Sequence, residues 1–179
     1  MNKVLVVIDS QNDFIDGALG TAEARAAVSK IVDKIYAEGD KGTEIFTTQD
    51  THYADYLNTQ EGRSLPIEHT IDGTYGHELN SQIKTAVTKY GAKNFKKETF
   101  GSVELAQYLQ AQNRENPIDE IELIGLDTDI CVISNALLFK AFLPETIIKV
   151  DAACCAGVTP ESHERALQSM EVCQIIVIR

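Results

Sequence analysis

The chain has 179 residues, 44% of them hydrophobic and 24% charged, a length that suits one domain of several packed layers and a composition unlike that of disordered chains. A formal net charge of -11 gives an average surface that repels phosphate backbones and anionic headgroups, so neither nucleic acid nor membrane is expected as a partner. Met-Asn-Lys leads straight into an apolar run ending at Asp9, too short for a secretory h-region, and no run approaches the ~18 apolar residues of a membrane span; residues 1–179 are read as one cytoplasmic domain.

Val4 to Ile8 is continuously apolar, the pattern of a strand buried on both faces, as in a parallel sheet. Helical periodicity from Ala22 to Glu38, closed by Gly39, precedes a second strand from Glu44 to Thr48. From Gln49 to Gly76 there is no regular period, and an irregular segment of that length inside a compact domain is usually functional. A helix from Leu79 to Tyr90, closed by Gly91, then leads to a weaker strand near Ala92 to Phe95. Further on, helices are predicted over Ser102 to Gln112, Asp129 to Phe142 and Pro160 to Glu171, the last opened by Thr159 as N-cap and a first-turn proline. Strands are predicted between them over Ile121 to Gly125, Thr146 to Val150 and Gln174 to Ile178.

This alternation predicts an α/β fold, a three-layer α/β/α arrangement around a six-stranded, mostly parallel sheet. Ligands in such sheets lie beyond the carboxyl ends of the strands, where Asp9, Asp50 and Gly125-Leu126-Asp127 fall. Neither Gly-x-Gly-x-x-Gly nor Gly-x-x-x-x-Gly-Lys is present, so no nucleotide cofactor is expected and a hydrolase is favoured.

Cys131 is predicted in the first turn of a helix capped by Thr128 or Asp129, where free amides and the dipole favour a thiolate. For an average cysteine, burial as packing is the commoner fate. Asp9 is placed to accept a thiol proton, although a lone Asp after a strand is more often a turn former. Lys97 follows the third strand, where an ammonium would stabilise thiolate and carboxylate, and alone would read as an exposed lysine. Cys154, Cys155 and Cys173 are assigned to packing, and His77 and His163 to surface or capping roles.

Asp9-x-Gln11-Asn12-Asp13-Phe14, Lys97-x-x-Phe100 and Gly125-Leu126-Asp127-Thr128-Asp129-Ile130-Cys131-Val132, with Asp151-Ala152-Ala153 after the fifth strand, resemble in order and spacing the isochorismatase-like cysteine hydrolases. That superfamily includes nicotinamidases, isochorismatases and N-carbamoylsarcosine amidases. The resemblance spans nearly the whole chain and implies strand order 3-2-1-4-5-6. It also implies a triad of Asp9 as general base, Cys131 as nucleophile and Lys97 as electrostatic partner, with a thioester intermediate. A cis bond at Leu126-Asp127 and an oxyanion hole from the amides of Asp127 and Cys131 are implied as well. Asp127 stands where a small or apolar residue is expected, and an inward carboxylate there would raise the thiol pKa. Phe14, Gln11 and Leu126 are assigned to the substrate pocket, Phe14 reading equally as core beneath the first loop. Oligomers, dimers or tetramers, are expected from the same resemblance.

Asp50-x-His52 and His69 resemble the nicotinamidase branch, in which an Asp-x-His pair and a later His hold a divalent metal. The usual second histidine is replaced by Asn58, and Glu61 lies at about the spacing of a glutamate that some nicotinamidases use instead. Asp50, His52, Glu61 and His69 are therefore the expected ligands, suited to zinc, or to iron or manganese; the other reading of the histidines is ordinary loop hydrogen bonding. The function expected is hydrolysis of a small carboxamide such as nicotinamide. A metal-independent isochorismatase-type or carbamoyl-amidase hydrolase, and a non-catalytic metabolite-binding or oligomer-forming member, are the alternatives.

Overall fold

A computed structural model describes residues 2–179. The chain begins with β1 (Lys3–Ile8), α1 (Asn12–Ile15), α2 (Ala22–Gly39) and β2 (Glu44–Asp50), followed by a 3-10 turn (Tyr56–Asn58) and α3 (Gln60–Ser64). It continues through α4 (Ser81–Lys89), β3 (Lys93–Lys97), α5 (Val103–Glu115) and β4 (Glu120–Leu126). A π-helical turn (Thr128–Val132) then leads into α6 (Ile133–Phe142), β5 (Ile147–Ala156), α7 (Pro160–Val172) and β6 (Ile176–Ile178). The six strands lie in the order β3-β2-β1-β4-β5-β6, and each neighbouring pair is parallel, so the sheet is parallel throughout rather than mostly so. Among the described residues no helix is long and apolar enough to cross a membrane.

The unbroken apolar run of β1 follows from its central place. Val4, Val6 and Ile8 face a core built with Leu105, Leu109 and Phe139, while Leu5 and Val7 face one built with Ile31, Ile35 and Ile83. Helices α5, α6 and α7 thus cover one face and α2 and α4 the other. Side-chain caps set several helix starts: Thr21 accepts from the Ala24 amide, Ser102 from Leu105, and Thr159 with Ser162 forms a capping box before α7.

β5 runs six residues past the predicted end at Val150, because the acid that interrupts its apolar pattern is answered from α2. Lys34 Nζ lies 2.7 Å from Asp151 Oδ2 and 2.8 Å from Glu122 Oε1, and Lys3 lies 3.4 Å from buried Glu120. Unpaired charge would not persist in a strand interior, whereas paired and hydrogen-bonded charge does.

At the carboxyl ends β1 and β4 approach closely at Gly125, which has φ of +117°, and a Cβ there would lie 2.1 Å from the Ile8 carbonyl oxygen. Gly125→Ala is expected to destabilise the fold by about 2–4 kcal/mol, since disfavoured backbone and overpacking each cost about 1–3 kcal/mol. Urea unfolding checks this, and a midpoint equal to that of the parent would refute it.

Candidate active site

Residues from three strand ends converge. Asp9 leaves β1 with φ of +38°, Lys97 is the last residue of β3, and Cys131 lies in the π-helical turn after β4. Parallel register sets Lys97 opposite Asp50 at the end of β2, and from there its side chain crosses toward β1. Lys97 Nζ lies 2.6 Å from Asp9 Oδ2, 3.3 Å from Asp50 Oδ1 and 3.5 Å from Cys131 Sγ. The three predicted triad residues are therefore together, all buried. Asp9 Oδ2, apart from this ionic contact, has no hydrogen-bond partner.

Cys131 is not in the first turn of an α-helix capped by Thr128 or Asp129. Asp127 occupies the N-cap position of the π-helical turn and makes no side-chain cap bond. Thr128 Oγ1 is instead 2.7 Å from His163 Nδ1, and Asp129 Oδ1 accepts from the Val158 amide at 3.1 Å. The surroundings also oppose the expected thiolate. Burial and the adjacent Asp9 charge push the thiol well above its ordinary range, with Lys97 opposing and Asp50 adding to the rise. Burial also raises Asp9 against the pull of Lys97, whereas burial of Lys97 is outweighed by Asp9, Cys131 and Asp50, which hold its ammonium charged. The site thus sets a thiol that burial keeps protonated beside the Asp9–Lys97 ion pair. Moving the proton from Sγ to Asp9 keeps the net charge of the trio unchanged, so the transfer adds no buried charge to what Lys97 already neutralises.

Two positioning side chains carried no signal in the expected motifs. Thr48 Oγ1 donates to Asp9 Oδ1 at 2.6 Å and accepts from the Asp9 amide at 3.2 Å. Asn135 Nδ2 donates to the carbonyls of Cys131 (2.8 Å) and Phe100 (3.1 Å), while its Oδ1 accepts from the Ser102 amide at 2.9 Å. It stands one helical turn after the cysteine, in an otherwise apolar stretch, and that spacing is the signal that would have found it.

Beside the trio, ligand atoms of Asp50, His52 and His69 lie within 4.8 Å of one another. Glu61 Oε1 is 3.5 Å from His52 Nε2 and 3.9 Å from His69 Nε2. Asn58, at the position where the resemblance expects a histidine, is exposed, and its backbone carbonyl accepts from Arg63. His69 Nδ1 bonds the Ile67 carbonyl at 2.8 Å, which leaves Nε2 directed at the cluster, the arrangement seen for metal-binding imidazoles. His52 Nε2 is buried and, although 3.1 Å from Asp50 Oδ2, makes no well-formed hydrogen bond. Two imidazoles and the Asp50 carboxylate around an orphaned nitrogen fit a divalent cation, with Glu61 outside that cluster but within 3.9 Å of both imidazoles. The geometry is braced from outside: Tyr56 packs its ring 4.6 Å and 5.0 Å from those of His52 and His69, and Asp13 Oδ2 accepts from the Thr70 amide at 2.7 Å.

Phe14, Phe100, Ile130 and Val158 give apolar walls to a cavity of about 360 Å³ that Cys131, Asp127, Glu61 and His69 also line. Phe14 sets its ring edge-on to His69, 5.7 Å between centroids, so it serves pocket and core together. Gln11 does not line this cavity. Its Oε1 accepts from the Asp50 amide and its Nε2 donates to the carbonyls of Asp50 and His77, each at 2.8 Å, so its polar capacity is engaged in clamping β2 to the first loop. Leu126 is likewise corrected: its side chain is fully buried in the core on the α2 side, and only the Leu126-Asp127 cis bond, found as expected, borders the site. His77 is buried rather than on the surface, with Nε2 2.9 Å from Thr51 Oγ1, and His163 is half-buried against Thr128.

The isochorismatase domain family model matches residues 3–179. The nicotinamidase/pyrazinamidase of Mycobacterium tuberculosis is 26% identical, covering 98% of each chain. Among solved structures, nicotinamidase/pyrazinamidase PncA from Bacillus subtilis is 31% identical with a TM-score of 0.84 over 100% of both chains. The pyrazinamidase of Pyrococcus horikoshii, crystallised in complex with zinc, is 26% identical with a TM-score of 0.79 over 100% of this chain and 99% of that one.

Proposed function

Because the chain belongs to the isochorismatase family and is a hydrolase of amide bonds, we propose that it converts a small aromatic carboxamide, nicotinamide or pyrazinamide, to the carboxylate and ammonia through a thioester on Cys131. The observation that carries this reading is Lys97 Nζ in contact with both Asp9 Oδ2 and Cys131 Sγ at a cavity sized for one small ring. Asp9 takes the thiol proton as Sγ attacks the carbonyl carbon, and the oxygen's developing charge falls to the backbone amides of Asp127 and Cys131. Protonated Asp9 then gives its proton to the departing nitrogen, which leaves as ammonia. A water deprotonated by Asp9 attacks the thioester, releasing the carboxylate and restoring the thiol. Lys97 keeps its charge throughout, and the apolar walls with Phe14 hold the ring. Asp50, His52, His69 and Glu61 would hold a divalent cation, zinc by donor set; when bound, it supplies a Lewis-acidic point that fixes a ring nitrogen of the substrate. The four unpaired cysteines suit a reducing compartment, and the cytoplasm is the proposed location.

Ammonia release over nicotinamide, pyrazinamide, N-carbamoylsarcosine and isochorismate tests the reading. Turnover of the two aromatic amides is expected to dominate; a carbamoyl compound or isochorismate turned over faster would transfer the chain to the metal-independent alternatives. Protein prepared without chelator is expected to carry about one divalent ion per chain, and His52→Ala or His69→Ala to lose it. Adding zinc to chelated protein at a hundredfold excess over Kd is expected to raise the unfolding free energy by about 2.7 kcal/mol, and full activity with no bound ion would remove the metal from the proposal.

The pH dependence follows from Asp9. Only its ionised form accepts the thiol proton, and burial raises its pKa, so kcat/KM is expected to fall as pH drops, with a midpoint above the ordinary carboxylate value of about 4. A midpoint at or below that value would contradict the assignment of Asp9 as base.

A further inference from the structure

Asp127 lines the cavity beside Cys131, yet its side chain enters none of the assignments above. It is 7% exposed, makes no capping bond, and among the described residues no side-chain donor or cation pairs with its carboxyl group. The charges around it are Asp129, Asp9 and Asp50, all of its own sign, and after burial they push it up to about 8. The other carboxylates here are answered: Asp9 by Lys97 at 2.6 Å, Asp50 by Lys97 at 3.3 Å and His52 at 3.1 Å, Glu61 by His52 at 3.5 Å. A carboxyl that lines the cavity beside Cys131 with no donor from the protein is free to accept one from a ligand bound there.

Position narrows what that donor is. The side chain springs from the residue whose own amide is assigned to the substrate's carbonyl oxygen, so it meets the substrate near the amide-bearing carbon rather than at the far edge of the ring. We propose that Asp127 is a specificity-determining residue, and that the preferred substrates are carboxamides bearing a second nitrogen donor, an amino or amidino group, next to the amide-bearing carbon. The carboxyl group accepts that N–H in either protonation state, and pairs with its charge when the substrate is cationic. This rests on the amidase reading. A site built around a polar group discriminates against the analogue that leaves it unpaired, which here is the unsubstituted amide.

The test compares the ortho-amino derivatives of nicotinamide and pyrazinamide with their parents. The readout is the derivative-to-parent ratio of kcat/KM, which is independent of any general loss that a change at 127 inflicts through the oxyanion site. The ratio is expected to be about tenfold in favour of the derivative and to fall to one or below in Asp127→Ala, with Asp127→Asn, which keeps an acceptor, in between. A ratio unchanged by Asp127→Ala overturns the proposal. Calorimetric binding of the same pairs to Cys131→Ala and to Cys131→Ala/Asp127→Ala separates the two readings. Should the parent protein hydrolyse none of the amides, the amidase reading fails, while a Kd ratio that depends on Asp127 still upholds the selectivity. Absence of binding by every amide overturns both.

Discussion

Cys131→Ala is expected to lower kcat/KM for amide hydrolysis by about ten-thousand-fold or more while leaving a folded protein. The change removes the only sulfur in contact with Lys97 among the described residues and leaves the Asp9–Lys97 pair, at 2.6 Å, intact. What remains is binding and the backbone amides, which polarise a carbonyl but form no thioester. Asp9→Asn is expected to be nearly as damaging, since the amide takes no proton, and the double variant little worse than either single one, because the residues act as a unit. Cys155→Ala supplies the contrast. Cys155 is equally buried, but in the core beneath β4 and β5, so its removal is expected to cost stability by about 1 kcal/mol and leave the rate within a few-fold. Ammonia release under saturating and limiting substrate measures all four. Activity in Cys131→Ala within tenfold of the parent protein would place the nucleophile elsewhere.

How far the sequence discloses this site depends on whether a residue's role is local. Strand ends are local: the apolar runs of β1 and β4 stop at Asp9 and Asp127 because the chain leaves a sheet buried on both faces there, and the parallel topology then brings those ends together. The π-helical turn was hidden, because five residues of altered winding leave the apolar pattern of the Thr128–Phe142 stretch undisturbed. Gln11 and Leu126 were misplaced for opposite reasons. Gln11 sits in the right loop but is consumed by backbone groups of Asp50 and His77, thirty-nine and sixty-six positions away. Leu126 is the right peptide with its side chain on the wrong face. Thr48 and Asp13 act through similarly distant pairings, with Asp9 and Thr70, and a motif that records spacing along the chain does not record them. Glu61 was singled out through the family resemblance, and it stands within 3.9 Å of both imidazoles while Asn58 is exposed.

Lys97→Met is expected to be the most disruptive single change to the site, lowering stability by about 3–5 kcal/mol and abolishing activity together. Lys97 is buried with its Nζ against Asp9 and Asp50, and deleting one partner of a buried ionic group leaves the others uncompensated. Methionine approximates the volume of the stem, so the loss is electrostatic rather than a cavity. Two consequences separate this from a packing defect. First, Asp9→Asn in the Lys97→Met background removes one of the stranded charges and is expected to recover a large part of the lost stability, with no recovery of rate. Second, the defect depends on pH in a definite direction. A carboxyl whose folded pKa lies above its unfolded value contributes stability when protonated and loses it as pH rises; Asp9 is already raised by burial, and without the ammonium it is raised further. The difference in unfolding free energy between Lys97→Met and the parent protein is therefore expected to shrink as pH falls toward the carboxylate range and to widen toward neutrality. Urea unfolding across that range, with unchanged m values, decides it. A pH-independent deficit, or no gain from Asp9→Asn, would mean that the ammonium neutralises no buried charge and that the electrostatic account of the triad is wrong.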